Sequence, residues 1–152
     1  MSAGVGYQNQ KLVLPCPACG KRNAVALERL RSRPICGNCK ADLPALGAPV
    51  ALTDQTFQSF VQRAPVPVLV DFWAPWCGPC RAMGPIVDRF AQAHAGRVLV
   101  AKLDTQANPA TAAALGIQSI PTVMVFDGGR PVNRQAGLVP EQALAAMVPM
   151  AA

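Results

Sequence analysis

The sequence lacks any run of about 18 uncharged apolar residues, the minimum for a membrane-spanning helix, although 51% of its 152 residues are hydrophobic. We therefore expect no membrane span. The first fifteen residues also lack the unbroken apolar segment of a secretory signal. We expect a cytoplasmic protein, in which close cysteine pairs indicate metal binding or catalysis and not structural disulfides.

Aromatic residues are scarce, at 5% of the chain. His94 is the only histidine and lies near the end of the predicted long helix, so we do not assign it as a metal ligand. The charge is uneven. Residues 1–47 hold seven lysines and arginines against two acidic residues. Such a basic segment raises the possibility of nucleic-acid binding. Its only aromatic residue is Tyr7, however, which leaves no platform for stacking bases. We expect a solvated basic face and no nucleic-acid partner.

Six cysteines form three pairs with one spacing, Cys-x-x-Cys. The pair Cys77 and Cys80 follows an apolar run at 66–73, which predicts a buried strand leading into a helix. A strand that delivers two thiols to the start of a helix is typical of thiol–disulfide exchange. Unpaired N–H groups and the helix dipole stabilise a thiolate at Cys77. Cys80 lies one turn later on the same helix face, within reach of Cys77.

The other two pairs lack this strand-to-helix context. Cys16 and Cys19 are separated by 16 residues from Cys36 and Cys39. This spacing predicts a structural zinc site with four thiolate ligands. Few large apolar side chains occur at 12–46, so metal binding would supply the folding energy that a core cannot. Two structural disulfides, or iron in place of zinc, are the alternatives.

The rest of the chain predicts an α/β domain with a mixed sheet, because strands alternate with helices and a hairpin and helix follow. The predicted helices include a short one carrying Phe57, capped by Thr53 or Asp54, and a long one at 77–94, kinked at Pro85. A Pro- and Gly-containing stretch at 44–49 predicts a boundary. We expect a zinc-binding module at 1–47, with 1–11 as a loose lead-in, and a second domain at 48–152.

The segment at 70–80, Val-Asp-Phe-Trp-Ala-Pro-Trp-Cys-Gly-Pro-Cys, resembles the active site of the thioredoxin family. The similarity continues through Pro85, 102–104, 108–109, 116–117, 120–122 and Gly137. With the four N-terminal cysteines included, the chain resembles the bacterial thioredoxin-2 type, which carries a zinc-binding extension. The resemblance implies a thioredoxin fold, a central mixed sheet flanked by helices, preceded by a small zinc-ribbon-like module.

Asp71 interrupts an apolar strand, so its carboxyl group should be buried with a raised pKa, which suits proton exchange with Cys80. The resemblance implies that Lys102 lies near Asp71 and that the Ile120–Pro121 peptide bond is cis. It also implies that substrate contacts come from six residues around the cysteines: Trp76, Gly78, Pro79, Ile120, Pro121 and Gly137.

The expected function is reduction of protein disulfides by cycling of Cys77 and Cys80 between dithiol and disulfide. By resemblance, the oxidised pair is reduced again by thioredoxin reductase, a flavoprotein that uses NADPH. The protein then needs structural Zn²⁺ but no bound redox cofactor. The alternative is a redox-gated interaction protein, in which oxidation of the zinc thiolates changes binding of a protein or nucleic-acid partner.

Overall fold

The computed structural model describes residues 5–149, which contain two sheets. The N-terminal part holds β1 (Tyr7–Gln8), β2 (Lys11–Pro15), β3 (Arg22–Ala26) and a 3-10 helix (Leu27–Ser32). The remainder follows in the order β4 (Val50–Leu52), α1 (Phe57–Arg63), β5 (Val68–Trp73), α2 (Gly78–Ala93), β6 (Leu99–Asp104), α3 (Pro109–Ala114), β7 (Thr122–Asp127), β8 (Arg130–Ala136) and α4 (Glu141–Met147). None of the described helices is long and apolar enough to cross a membrane.

The larger sheet has five strands in the order β4-β6-β5-β7-β8, and β5 is its centre. Strand β5 pairs in parallel with β6 and antiparallel with β7, which confirms the predicted mixed sheet. Its residues from Val68 to Phe72 are all buried, as expected for a strand covered on both faces. The β5–β6 register places Asp71 opposite Lys102.

Two apolar clusters cover the two faces of this sheet. One contains Met83, Val87 and Phe90 of α2 together with Leu144 of α4. The other contains the buried side chains of α1, residues of β4, and apolar residues of the N-terminal part. The N-terminal part therefore contributes, together with α1, to the layer that covers one face of the sheet.

Helix α2 is one continuous helix that includes Pro85, and the kink expected at this residue stays a prediction. It begins directly after Cys77, and Pro79 lies in its first turn. A proline in this position costs no hydrogen bond, because the first N–H groups of a helix have no partner within it.

The predicted cap of α1 was wrong, because Thr56 occupies the N-cap position and no side chain caps the helix. The Asp54 carboxylate instead accepts hydrogen bonds from the backbone N–H groups of Ala110 and Thr111, at 3.2 and 2.8 Å, in the first turn of α3. In return, the backbone N–H of Asp54 donates to the Asn108 side chain at 2.9 Å. The cap thus joins α3 to the turn that precedes α1, a segment distant in sequence.

The expectation of a loose lead-in is wrong for residues 5–11, whereas residues 1–4 lie outside the described residues. Val5 pairs with Val50 in a parallel bridge, and β1 pairs with β2. The Tyr7 ring is 5% exposed and packs edge-on against Phe60 of α1, with ring centroids 5.1 Å apart. The Tyr7 hydroxyl and the Ser59 hydroxyl share a hydrogen bond of 2.8 Å.

Residues 5–47, the described portion of the N-terminal part, have no core of their own. Their buried apolar side chains join the cluster that also contains Phe60 of α1 and Phe72 of β5. These side chains are Tyr7, Leu12, Leu14, Val25, Leu27 and Leu43. The boundary between a module at 1–47 and a domain at 48–152 stays a prediction, but the shared cluster indicates that the two parts stabilise one another.

We predict that Tyr7→Ala lowers the free energy of unfolding by about 3 kcal/mol, because it leaves a cavity against Phe60. The loss should appear in the fluorescence of Trp73 and Trp76, the only two tryptophans, both in the larger part. Denaturant titration followed by this fluorescence measures it. Tyr7→Phe is the matched control and should cost only about 1 kcal/mol, for the hydrogen bond to Ser59. An unchanged tryptophan transition in Tyr7→Ala would mean that the two parts fold independently.

Candidate active site and four-cysteine cluster

Cys77 and Cys80 form a disulfide at the N-terminus of α2, with their Cα atoms 5.2 Å apart. Cys77 is the N-cap residue, and its sulfur accepts a hydrogen bond from the backbone N–H of Cys80 at 3.2 Å. Both residues are less than 5% exposed. The polar N–H end of the helix therefore faces the sulfur of Cys77, as the strand–helix pattern predicted.

The loop before β7 lies against this disulfide. The Ile120–Pro121 peptide bond is cis, which confirms the expectation from the resemblance. The Ile120 carbonyl oxygen is 3.8 Å from the sulfur of Cys77, and Ile120 packs against the buried cluster that contains both cysteines. Gly137 donates its backbone N–H to the Pro121 carbonyl at 2.8 Å. The structure thus places three of the predicted substrate-contact residues around the redox pair.

The other predicted contact residues lie on the exposed side of the pair. Trp76 is 67% exposed, and Gly78 and Pro79 are exposed in the first turn of α2. Leu138, which follows Gly137, is 52% exposed and was not predicted. The sequence signal for Leu138 as a contact residue is its position, since it is an apolar residue directly after Gly137 in a loop. Large exposed apolar side chains near a reactive group are typical of a surface that binds a partner.

Asp71 is 1% exposed in the middle of β5, and its Oδ1 atom has no hydrogen-bond partner among the described residues. Lys102 lies opposite Asp71 on β6, as expected, but its ammonium group forms an ion pair with Asp88 of α2 at 3.2 Å. The sequence analysis missed Asp88. Asp88 lies at the border of the buried face of α2, directly after Val87, and an acidic residue beside the apolar side of a long helix could have indicated it.

The four remaining cysteines converge, with all sulfurs within 4.8 Å of one another. The closest contacts join the two pairs. Cys16 and Cys39 sulfurs are 3.6 Å apart, and Cys19 and Cys36 sulfurs are 3.7 Å apart. Four sulfurs at about 2.3 Å from a tetrahedral zinc ion would be about 3.8 Å apart, so the cluster fits zinc.

The two loops that carry these cysteines have the same hydrogen bonds. Gly20 donates its N–H to the Cys16 carbonyl at 2.8 Å, and Lys40 does so to the Cys36 carbonyl at 3.0 Å. Both residues have a positive φ, 80° at Gly20 and 66° at Lys40, which turns each loop back over its two cysteines. At Lys40 this conformation is unusual for a residue with a side chain, and the loop enforces it.

The four thiols differ in acidity. Backbone N–H groups of Cys39 and Asn38, directed at the sulfur of Cys36, outweigh burial and lower the pKa of this thiol to about 6. For Cys39 the backbone N–H of Ala41 lowers the pKa, but the neighbouring thiols and burial outweigh it and raise the pKa to about 11. The Asn38 side chain also donates to the Cys19 sulfur at 3.6 Å. Four thiol groups in a closed arrangement suit a structural zinc ion, because no coordination position is left open.

Comparison with known proteins gives the same assignment for most of the chain. A sequence model of the family described as Thioredoxin matches residues 48–149. The chain belongs to the thioredoxin family. Thioredoxin of Alicyclobacillus acidocaldarius subsp. acidocaldarius is 52% identical over 101 residues, which are 66% of this chain and 95% of that protein. Thioredoxin 1 of Nostoc sp. is 50% identical over 99 residues, 65% of this chain and 92% of that protein.

A third relative covers more of the chain. Thioredoxin C-3 of Corynebacterium nephridii is 39% identical over 126 residues, which are 83% of this chain and 86% of that protein. A match of this length reaches into residues 1–47. The predicted fold is confirmed. The chain has a mixed sheet with flanking helices, and its N-terminal four-cysteine cluster is consistent with a zinc-ribbon-like module. Relatives at about 50% identity also support its assignment as a thiol–disulfide oxidoreductase.

The surroundings of Asp71 in this thioredoxin change its acidity. Burial raises the pKa of Asp71 to about 7, and Asp88 adds to the rise, whereas the positive charge of Lys102 opposes it. The group is therefore partly protonated at neutral pH, as predicted from the apolar strand.

We predict that Asp71→Asn stabilises the folded protein most above pH 7. In the native protein the pKa of Asp71 is about 7, against 3.8 in the unfolded chain, so the native state holds the proton more tightly. Stability therefore falls as pH rises from about 4 to about 7, by about 1.4 kcal/mol per unit of pKa displacement. Denaturant midpoints of both proteins across this range measure the effect. A pH-independent difference between them would contradict the raised pKa.

Proposed function

We propose that this thioredoxin reduces disulfides in proteins by cycling the Cys77–Gly78–Pro79–Cys80 segment between dithiol and disulfide. The observation that carries the proposal is the position of the pair. Cys77 is at the N-terminus of α2, faces the cis-proline loop, and adjoins exposed Trp76. This arrangement stabilises a nucleophilic sulfur beside a surface on which an extended chain can bind.

In the first step the Cys77 thiolate attacks one sulfur of the substrate disulfide. The substrate S–S bond breaks, a mixed disulfide forms, and the other substrate sulfur leaves as a thiolate and takes up a proton. The Cys80 N–H, which points at the Cys77 sulfur, stabilises the attacking thiolate together with the helix dipole.

In the second step Cys80 loses its proton and attacks the Cys77 sulfur. The second substrate thiolate leaves, so the substrate gains two electrons and two protons while the enzyme disulfide forms. We assign Asp71 as the proton acceptor, because its raised pKa near 7 matches the working pH of such a base. Lys102 on the neighbouring strand forms an ion pair with Asp88, and its positive charge lowers the pKa of Asp71.

Substrate binding is assigned to the six residues around the pair. The carbonyl group of Ile120 lies beside the Cys77 sulfur, where an extended substrate segment could form backbone hydrogen bonds with the loop. Trp76, Gly78, Pro79, Pro121 and Gly137 complete the surface.

The cycle closes when a donor of two electrons reduces the Cys77–Cys80 disulfide. The family suggests thioredoxin reductase, a flavoprotein that takes electrons from NADPH, as this partner, and the cytoplasm as the compartment. No bound redox cofactor is required, because the disulfide itself carries the two electrons.

The four N-terminal cysteines are assigned a structural zinc ion, held by Cys16, Cys19, Cys36 and Cys39. Their sulfur separations and two matching loops support this assignment. When bound, the ion would cross-link the two loops and add its binding free energy to the stability of the N-terminal part.

We predict that Cys77→Ser abolishes reduction of insulin and traps no substrate. Cys80→Ser should accumulate mixed disulfides at Cys77, because attack proceeds but the second step cannot follow. Mass spectrometry under non-reducing conditions identifies the adducts.

Cys19→Ser is the matched control, since it removes a thiol outside the redox pair and should leave insulin reduction measurable. Adducts in Cys77→Ser but not in Cys80→Ser would reverse the two roles. Adducts in neither variant would exclude this mechanism.

We predict about one zinc ion per chain, because four thiolates fill the coordination of one ion. Elemental analysis of the purified protein measures it. Replacing all four N-terminal cysteines by serine should remove the metal, whereas Cys77→Ser should retain it. Metal-free protein with these four cysteines joined as disulfides would refute the zinc assignment.

The same four-serine variant also distinguishes the proposed reductase from the redox-gated interaction protein. Measurable reduction of insulin without the cluster supports the reductase. Loss of all activity, in a variant that unfolds cooperatively and retains native circular dichroism, would favour the alternative.

A further inference from the structure

Strand β3 is the outer strand of the three-stranded N-terminal sheet, whose order is β1-β2-β3. Two hydrogen bonds flank its pairing with β2: Cys16 N–H to the Lys21 carbonyl, and Leu27 N–H to the Gln10 carbonyl. In an antiparallel pair, hydrogen-bonded positions alternate along the strand. Asn23 and Val25 therefore direct their backbone groups towards β2.

By the same alternation, the backbone N–H and carbonyl groups of Arg22 and Ala24 point away from β2. Pro15, which has no N–H, lies opposite Arg22, as this pattern requires. Within residues 5–149, none of the hydrogen bonds uses these outward groups of Arg22 or Ala24. The strand thus presents an open edge.

A groove of about 310 Å³ runs along this edge. Its lining includes Ala24 and Ala26 of β3 together with Pro34 and Ile35. Ile35 is 52% exposed, one of four large apolar side chains in the described part of the chain that are strongly exposed. The small side chains on the strand and the exposed apolar Ile35 leave room for another extended chain.

The groove is also positively charged. Lys11 and Arg29 line it, and no acidic residue does. Arg22 adds a third positive charge on the strand itself. Among the described residues these three cations form no ion pair, and the acid next to Arg29, Glu28, is paired with Arg63 at 3.2 Å.

We propose that β3 binds an extended, acidic segment of a partner protein, which adds to the sheet as a fourth strand. Backbone groups of Arg22 and Ala24 pair with the segment, Ile35 contacts its apolar side chains, and Lys11 and Arg29 attract its carboxylates. This surface belongs to the N-terminal part and is independent of the redox pair.

Two other occupants fit less well. A second copy of this chain would bring Arg22, Lys11 and Arg29 against the same charges, and like charges across a strand pair oppose association. Single-stranded nucleic acid needs exposed aromatic side chains for stacking. Tyr7, the only aromatic residue of 1–47, is buried against Phe60.

The probe is a fluorescein-labelled peptide of alternating glutamate and valine, titrated with the full chain and followed by anisotropy. We expect saturable binding that weakens as salt is raised, because exposed charges are screened. Hydrogen exchange of the Ala24 amide should slow on binding, since the peptide covers it, while the Val25 amide, already paired with β2, should not change.

Ala24→Pro removes the outward N–H but none of the bonds to β2, and edge strands tolerate proline at such positions. It should weaken binding about tenfold, whereas Ala24→Val, which keeps the N–H, should not. Arg29→Glu should weaken binding by a similar factor, with Arg130→Glu in the distant hairpin as its control. Unchanged insulin reduction in each variant verifies the fold, and Arg29→Glu keeps the test valid if Ala24→Pro does not fold.

Absence of peptide binding to the native chain overturns the proposal. So does binding that both Ala24→Pro and Arg29→Glu leave unchanged. Tighter binding of a single-stranded RNA oligonucleotide than of the peptide, or a dimer by sedimentation that Ala24→Pro dissociates, would assign this edge to another occupant and equally overturn it.

Discussion

The structure depends on the burial of β5 between two apolar layers. Because both faces of this strand are covered, almost every side chain on it must be apolar, and the one exception, Asp71, loses its water. The same strand ends at the loop that carries Cys77 to the start of α2. One constraint, a central strand without solvent, therefore produces both a carboxyl group that titrates near neutral pH and the position of the reactive sulfur.

Three identical cysteine spacings acquire different chemistry from their surroundings. At the start of α2 the two sulfurs of one pair meet each other, because one helical turn separates them. In the N-terminal loops the chain turns back at Gly20 and Lys40, and each sulfur approaches one from the other pair. The first geometry suits reversible disulfide formation, and the second suits a tetrahedral metal ion.

The N-terminal part is tied to the rest by packing and not only by its cysteines. Tyr7 contacts α1, Val5 pairs with Val50, and Leu12 and Leu27 extend the cluster beneath the sheet. This part is therefore stabilised by a shared apolar cluster, to which the proposed zinc ion would add a cross-link between the two cysteine loops. With its inner face fixed in this way, the outer edge at β3 is left open to solvent.

The sequence by itself determined the alternation of strands and helices, the position of Cys77 and Cys80 at a helix start, the four-cysteine grouping and the burial of Asp71, since each leaves a local pattern of spacing or hydropathy. The cis bond at Pro121 came from the family resemblance alone. Only the tertiary structure decided that Asp54 caps α3, that Asp88 pairs with Lys102, and that Val5 bridges to β4 while Tyr7 packs against α1. These contacts join residues far apart in the chain, and the burial that stabilises them exists only after the layers have packed.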